Sequence, residues 1–279
     1  AAVMRSAAAT PIEPARKPNS HATTATRRPN TVPSPVSTAS SSPVAARARA
    51  SSTSSQRCSM RIGFSTTVTL LEYRQGKQTD TSVINVLSKA DEGSGQFRTL
   101  IRIVSPERDA NKLMLKSGND LWFYDPASQS SIRLSPQQRL LGQVSNGDVV
   151  TVNLAKDYRA ELLAEEDMVD GEKTTRRAYK LKLSAAAPDA PYHRVEMWVE
   201  VGTSRPIKAR FFAESGHLLK TAYYRKFQPQ LGRERPTEVV IIDGLDPGWV
   251  TVMRYQDFAW RDVPEAWLQR DYLPRYKPS

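Results

Sequence analysis

The sequence predicts a mainly β protein: an incomplete antiparallel β-barrel of about eleven strands, with short helices forming a lid. Three observations predict it. Runs of alternating apolar and polar residues recur between residues 64 and 258 at strand length rather than helix length. Turn sequences such as Arg74-Gln75-Gly76-Lys77, Asp170-Gly171 and Glu214-Ser215-Gly216 separate them. Several runs are apolar on both faces, as at Leu70/Leu71, 113–115, 122–124, Phe211/Phe212, Tyr223/Tyr224 and 239–242, which a sheet with one wetted face does not need.

Residues 1–60 stand outside that pattern. They are Ala, Ser, Thr, Pro and Arg with almost no large apolar side chains, as in ATPIEPARKPNSHATTATRRPN. Such a segment cannot bury enough surface to offset the entropy of ordering it, so a disordered tail is expected, with the half-barrel domain at 61–279. The tail has arginines but no apolar core of a secretory signal. The chain opens on Ala1, and a natural linker and a gene-model artefact both fit.

The first strand is read at 64–73, with its return at 81–89 after the 74–77 turn. A strand at 97–104 places Phe97, Thr99, Ile101 and Ile103 on one face and Arg98, Leu100, Arg102 and Val104 on the other. A short apolar run follows at 112–116. The stretch 121–148 is the one around which the reading turns: Trp122, Phe123 and Tyr124 in a strand, a polar turn after Pro126, a second strand at 132–134, then a helix from Pro136 that carries Leu140 and Leu141 and ends at Gly142. An aromatic hairpin followed by an apolar helix has the composition of one wall and part of the lid of an apolar cavity, with an ordinary hairpin and loop as the plain alternative. Residues 149–157 read as a second short helix. Strands at 158–167 and 174–184 flank Asp170-Gly171, a hairpin signal. In 193–201, Val195, Met197, Val199 and Val201 oppose Glu196, Trp198 and Glu200. Strands at 206–213, 218–227, 236–242 and 249–258 follow, and 263–272 reads as a terminal helix. A barrel this wide is not filled by its own side chains, so a ligand cavity is expected.

The net charge of +11 does not point to nucleic acid, because it is concentrated in the tail. The first 60 residues hold eight Lys/Arg and one acid, whereas the rest hold 32 and 28. No apolar run is long enough to cross a bilayer as a helix. The single cysteine, Cys58, and the scattered His21, His193 and His217 make neither a disulfide nor a metal site. No nucleophile elbow, zinc-protease helix, phosphate loop or dinucleotide fingerprint is present, and no cofactor is expected. The acids Glu165, Glu166 and Asp167 resemble a glycosidase pair only superficially, because adjacent acids before a turn suit a solvated hairpin tip better. Four methionines fall on strands, Met114, Met168, Met197 and Met253, and methionine adapts to irregular apolar partners.

The segments WFYDPASQSSIRLSPQQRLLGQVSNGDV, RIVSPERDANKLMLKSGNDLWFY, NLAKDYRAELLAEEDMVDGEKT, HRVEMWVEVGTSRPIKARFFAESGHLLKTAYY and RPTEVVIIDGL lie in order over about residues 62–275. Together they resemble the bacterial outer-membrane lipoprotein-sorting family, the LolA-like group. The resemblance implies a half-barrel closed by helices, a periplasmic location, and a hydrophobic cavity that takes the acyl chain of a lipoprotein or another lipid. It implies no enzymatic activity. It implies an inner-membrane transporter, ABC-type or resistance-nodulation-type, that hands over the cargo, and an outer-membrane acceptor. The family's leader and amphipathic lid helix have no counterpart in residues 1–60.

On that reading the wall candidates are Trp122, Tyr124, Met197, Phe211, Tyr224, Ile241 and Met253, with Leu140, Leu141 and Val144 on the lid. Facing is taken from alternation, and a slip of one residue reverses it. Two other classes of function stand beside the carrier. One is a periplasmic lipid- or lipoprotein-sensing module that regulates an inner-membrane partner. The other is an enzyme acting on lipids, which would need convergent groups such as His193 beside Glu165.

Overall fold

The computed structural model describes residues 63–91, 96–117, 120–134, 154–186 and 190–277. The tail 1–60, the helix expected from Pro136, and the lid positions Leu140, Leu141 and Val144 lie outside the described residues. Thirteen strands form one antiparallel sheet: β1 Gly63–Arg74, β2 Lys77–Ala90, β3 Phe97–Ser105, β4 Leu113–Ser117, β5 Asp120–Asp125, β6 Ser130–Arg133, β7 Tyr158–Val169, β8 Thr175–Ala185, β9 Arg194–Glu200, β10 Pro206–Phe212, β11 Leu218–Gln230, β12 Arg233–Asp243 and β13 Trp249–Arg261. The count is thirteen rather than about eleven, and the short runs read at 112–116, 122–124 and 132–134 all join the ladder, as β4, β5 and β6. The order is β6-β5-β4-β3-β2-β1-β13-β12-β11-β10-β9-β8-β7, so nearly every neighbour is a sequence neighbour. The exception is the central pair, where β1 runs against β13 from Gly63↔Arg261 to Arg74↔Trp249.

The sheet is open, with β6 and β7 as its outer members among the described residues. Strand twist of about 20° per step adds up to roughly half a turn across the nine steps from β3 to β7. The beginnings of these two distant strands thereby come together. The Gln96 side-chain amide, just before β3, lies 3.5 Å from the Asp157 carboxylate. Asp157 ends the one-turn helix α1, Leu154–Asp157, which leads into β7. The second helix expected at 149–157 is therefore α1 alone within the described residues.

The curl gives the sheet an inner and an outer face, and both are covered. Inner side chains from both wings join one apolar cluster, among them Val68, Ile101, Leu121, Val195 and Met253, all at 0–1% exposure. Outside, Leu87, Leu100, Leu113, Leu115 and Tyr124 pack under a C-terminal strap that supplies Val263, Leu268 and Leu273. The expected terminal helix is instead two 3-10 turns, Glu265–Leu268 and Arg270–Arg275. Pro264 precedes the first and Pro274 lies inside the second, and proline withholds the backbone donor that an α-helix needs. Glu265 pins the strap with ion pairs to Lys89 at 2.9 Å and to Arg98. The Lys89 hydrogen bond and the Arg98 charge hold its carboxyl below the usual range against the cost of burial.

A third cluster, Ala178, Trp198 and Ile207 with Met168, seals the outer face of β7–β10. The β7–β8 hairpin then folds its tip over β11. Gly171 lets the two approach closely, because a Cβ there would stand only 3.1 Å from the Tyr223 Cβ. Its carbonyl accepts from Arg225 Nη1 at 3.3 Å. The left-handed residue of this turn is Lys173, φ 63°, so the Asp170-Gly171 pair marks the hairpin without being its two-residue turn.

Glu238 on β12 is the one buried acid of the outer face among the described residues, at 1% exposure. Its carboxylate receives Arg225 Nε at 2.5 Å, Lys226 Nζ at 2.9 Å and Arg254 Nε at 3.0 Å. Burial pushes its pKa up, but the hydrogen bonds from Lys226, Arg225 and Arg254 outweigh burial and bring it from 4.5 down to about 2. A depressed carboxylate contributes stability that is complete above the unfolded pKa and is lost as the pH falls through the folded one; here that is about 3 kcal/mol. Glu238→Gln is therefore expected to cost about 2 to 3 kcal/mol at neutral pH. The deficit should shrink as the pH drops from about 5 towards 2. Urea unfolding of both proteins across that range checks it.

Candidate functional site

The inner wall is built by period-2 alternation on long strands. β9 turns Val195, Met197 and Val199 inward. β10 turns Ala209 and Phe211 inward, while Phe212 faces out beneath the Arg194 guanidinium, 3.9 Å from its ring. β11 contributes Ala222 and Tyr224, β12 Val239 and Ile241, and β13 Met253 and Tyr255. On the other wing β1 to β5 supply Val68, Ile84, Val86, Ile101, Met114 and Leu121. Phe211 packs on Tyr192 with ring centres 4.6 Å apart. Tyr192 is fixed in turn by its backbone N–H, which donates to the Tyr158 hydroxyl at 3.1 Å. Two lysines, Lys116 and Lys220, are nearly buried on the same face, and Lys220 Nζ lies 5.1 Å from the centre of the Tyr192 ring.

Of the wall candidates read from the sequence, Met197, Phe211, Ile241 and Met253 are brought together in this cluster, and Tyr224 packs against it. Trp122 and Tyr124 are not. They belong to the outer cluster under the C-terminal strap, and Trp122 stacks with Arg270 at 4.3 Å. β5 pairs with β4 without a bulge, so Leu121 and Phe123 take the inner face and the expected facing of Trp122 and Tyr124 is reversed. The alternation had no one-sided signal to give here, because both faces of β5 are covered. The double-sided apolarity of Leu113, Met114 and Leu115 has the same cause: Met114 is inner and the two leucines are outer.

His193 and Glu165, the pair named for an enzyme acting on lipids, are held apart, and the acids at 165–167 are already paired. The His193 carbonyl accepts from Ala185 N–H at 3.0 Å, whereas Glu165 sits opposite Tyr179, six residues away along β8. At strand rise that is about 20 Å. Arg177 pairs with Glu165 at 2.9 Å and Asp167 at 3.4 Å, and Glu166 accepts from Trp198 Nε1 at 2.7 Å. The acidic run is a salt-bridged hairpin flank. Among the described residues no three His, Cys, Asp or Glu side chains are grouped to hold a metal ion.

A family model described only as an uncharacterized protein matches residues 95–275. No curated protein matches the chain. Among solved structures, a LolA superfamily protein from Nitrosomonas europaea is 34% identical, with 76% of this chain and 92% of that one covered and a TM-score of 0.66. The chain belongs to the LolA superfamily. More distant structures share the LolA fold. A DUF1329 family protein from Desulfovibrio piger is 21% identical over 84% of this chain and 100% of that one, with a TM-score of 0.66. A putative outer membrane lipoprotein-sorting protein domain from Vibrio parahaemolyticus is 19% identical over 80% and 97%, with a TM-score of 0.63. The resemblance read from the sequence thus holds, and the thirteen-stranded open sheet is this chain's version of the LolA fold.

Proposed function

We propose that this LolA-superfamily chain is a periplasmic carrier. It holds the acyl chains of a lipoprotein or another lipid against the inner face of the sheet and passes them towards the outer membrane. An inner-membrane transporter, ABC-type or resistance-nodulation-type, loads it, and an outer-membrane acceptor unloads it. The observation that carries this reading is the inner face itself, one apolar surface contributed by both wings of a curled, open sheet. These side chains already pack on one another, so the wings must part to admit a chain; each acyl methylene then moved from water between them gains about 0.8 kcal/mol, with no covalent step. Release then requires a movement of the sheet or its cover, or an acceptor that binds more tightly. No chemistry is asked of the side chains, in keeping with the pairing of Glu165, Glu166 and Asp167.

Displacement of a fluorescent fatty acid from the full chain tests the proposal, together with mass spectrometry of lipid extracted from the purified protein. Saturable binding and a co-purifying acyl lipid are expected. If neither is found, and the protein instead captures an inner-membrane regulator, it is a sensing module and the carrier reading is wrong.

A further inference from the structure

The outer face is apolar under the C-terminal strap, but beside the strap it turns polar. Arg102 on β3, Asn85 on β2 and Thr67 on β1 stand in register across three adjacent strands. With Ser65, Asp257 and Arg261, and with Tyr276 from the end of the strap, they line a pocket of about 160 Å³. A bulge shapes its floor. Ser65 pairs with Ala259 but Thr67 pairs with Gln256, so β13 carries an extra residue here, and Asp257 takes a left-handed φ of 52°. Bulges re-aim side chains and interrupt a ladder, and Thr66 Oγ1 fills part of this gap by donating to Gln256 O at 2.8 Å.

The lining is rich in donors. Thr67 Oγ1 donates to Asn85 Oδ1 at 3.4 Å, which leaves the Asn85 NH2 for another partner. The Ser65 and Tyr276 hydroxyls have no hydrogen-bond partner among the described residues. Arg102 Nη1 donates to Asn111 at 3.2 Å, and its other N–H groups are available. Among the charged lining residues are one acid, Asp257, and two arginines, Arg102 and Arg261. Both are close enough to act on Tyr276: burial raises its phenol pKa, and the Arg102 and Arg261 charges pull it the other way. The planar guanidinium of an arginine donates two parallel hydrogen bonds to a pair of oxygens on a carboxylate or phosphate.

We propose that this outer pocket binds a small oxyanion that also carries a hydroxyl or amine. Its phosphate or carboxylate sits between Arg102 and Arg261, and its donor faces Asp257. The site lies on the opposite face of the sheet from the apolar wall, so it stands or falls independently of the carrier reading. Titration calorimetry of the full chain with glycerol phosphate in chloride buffer tests it. One saturable site is expected, weakened about ten-fold by Arg102→Gln or Arg261→Gln. Asn85→Ala and Ser65→Ala, which touch no ion pair, should each weaken it about three-fold while the melting temperature stays unchanged. Co-sedimentation with phosphatidylglycerol vesicles that is lost in the same variants assigns the anion to a lipid headgroup. Binding of glycerol phosphate alone assigns it to a free metabolite. No saturable binding in either arm, or binding that all four variants leave intact, overturns the site.

Discussion

Alanine at both Leu268 and Leu273 is expected to remove about 6 kcal/mol of stability, roughly 3 for each side chain. Both leucines are 1% exposed, and they lie on the outer cluster with Leu87, Leu100, Leu113 and Leu115 beneath them. The strap has no regular α-helix to hold its shape, only two 3-10 turns, so the surrounding backbone offers little that can collapse into the space left behind. A whole domain is stable by only about 5 to 15 kcal/mol, so the double variant should be largely unfolded or recovered as aggregate. The ion pairs that pin the same strap are worth far less. Glu265 is half exposed, and Glu265→Gln should cost under about 1 kcal/mol. Denaturant midpoints of the three proteins decide the matter. A double variant as stable as the parent would mean that the strap is not what seals the outer face.

Phe211→Ala is the second large effect, at about 4 kcal/mol. Phe211 is 4% exposed, faces inward from β10 and packs on Tyr192. Truncation removes the ring contact and leaves apolar space inside the wall. If acyl chains lie along this face, saturating fatty acid should restore part of the lost stability, because a ligand present at about a hundred times its Kd contributes about 2.7 kcal/mol. Thermal unfolding with and without fatty acid reads both effects. A loss below about 1 kcal/mol would place Phe211 outside any packed wall.

The sheet was legible because each strand declares itself locally. Val195, Met197 and Val199 alternate with Glu196, Trp198 and Glu200, and they do fall on opposite faces. What the sequence could not disclose is what covers the outer face. Trp122 and Tyr124 sit in a strand whose two sides are both buried, so hydrophobicity alone could not say which side looks inward. The deciding fact lies far down the chain, in Leu268 and Leu273 of the strap. Glu238 was missed for a related reason. It sits at the edge of the apolar run 239–242 of β12, and its three cations come from β11 and β13. An acid next to an apolar run, with arginines at matching positions on both neighbouring strands, is the signal that would have found it.

The seam between β1 and β13 governs how this molecule comes into being. Two nearly self-contained meanders meet along strands separated by about 190 positions, so the central ladder closes only once Trp249–Arg261 has arrived. Until then each wing presents a bare inner border, and the apolar side chains of the two inner faces lack each other's cover. Formation of the native state should accordingly be slow and all-or-none, and a chain stalled before residue 249 is an open invitation to edge-to-edge clumping.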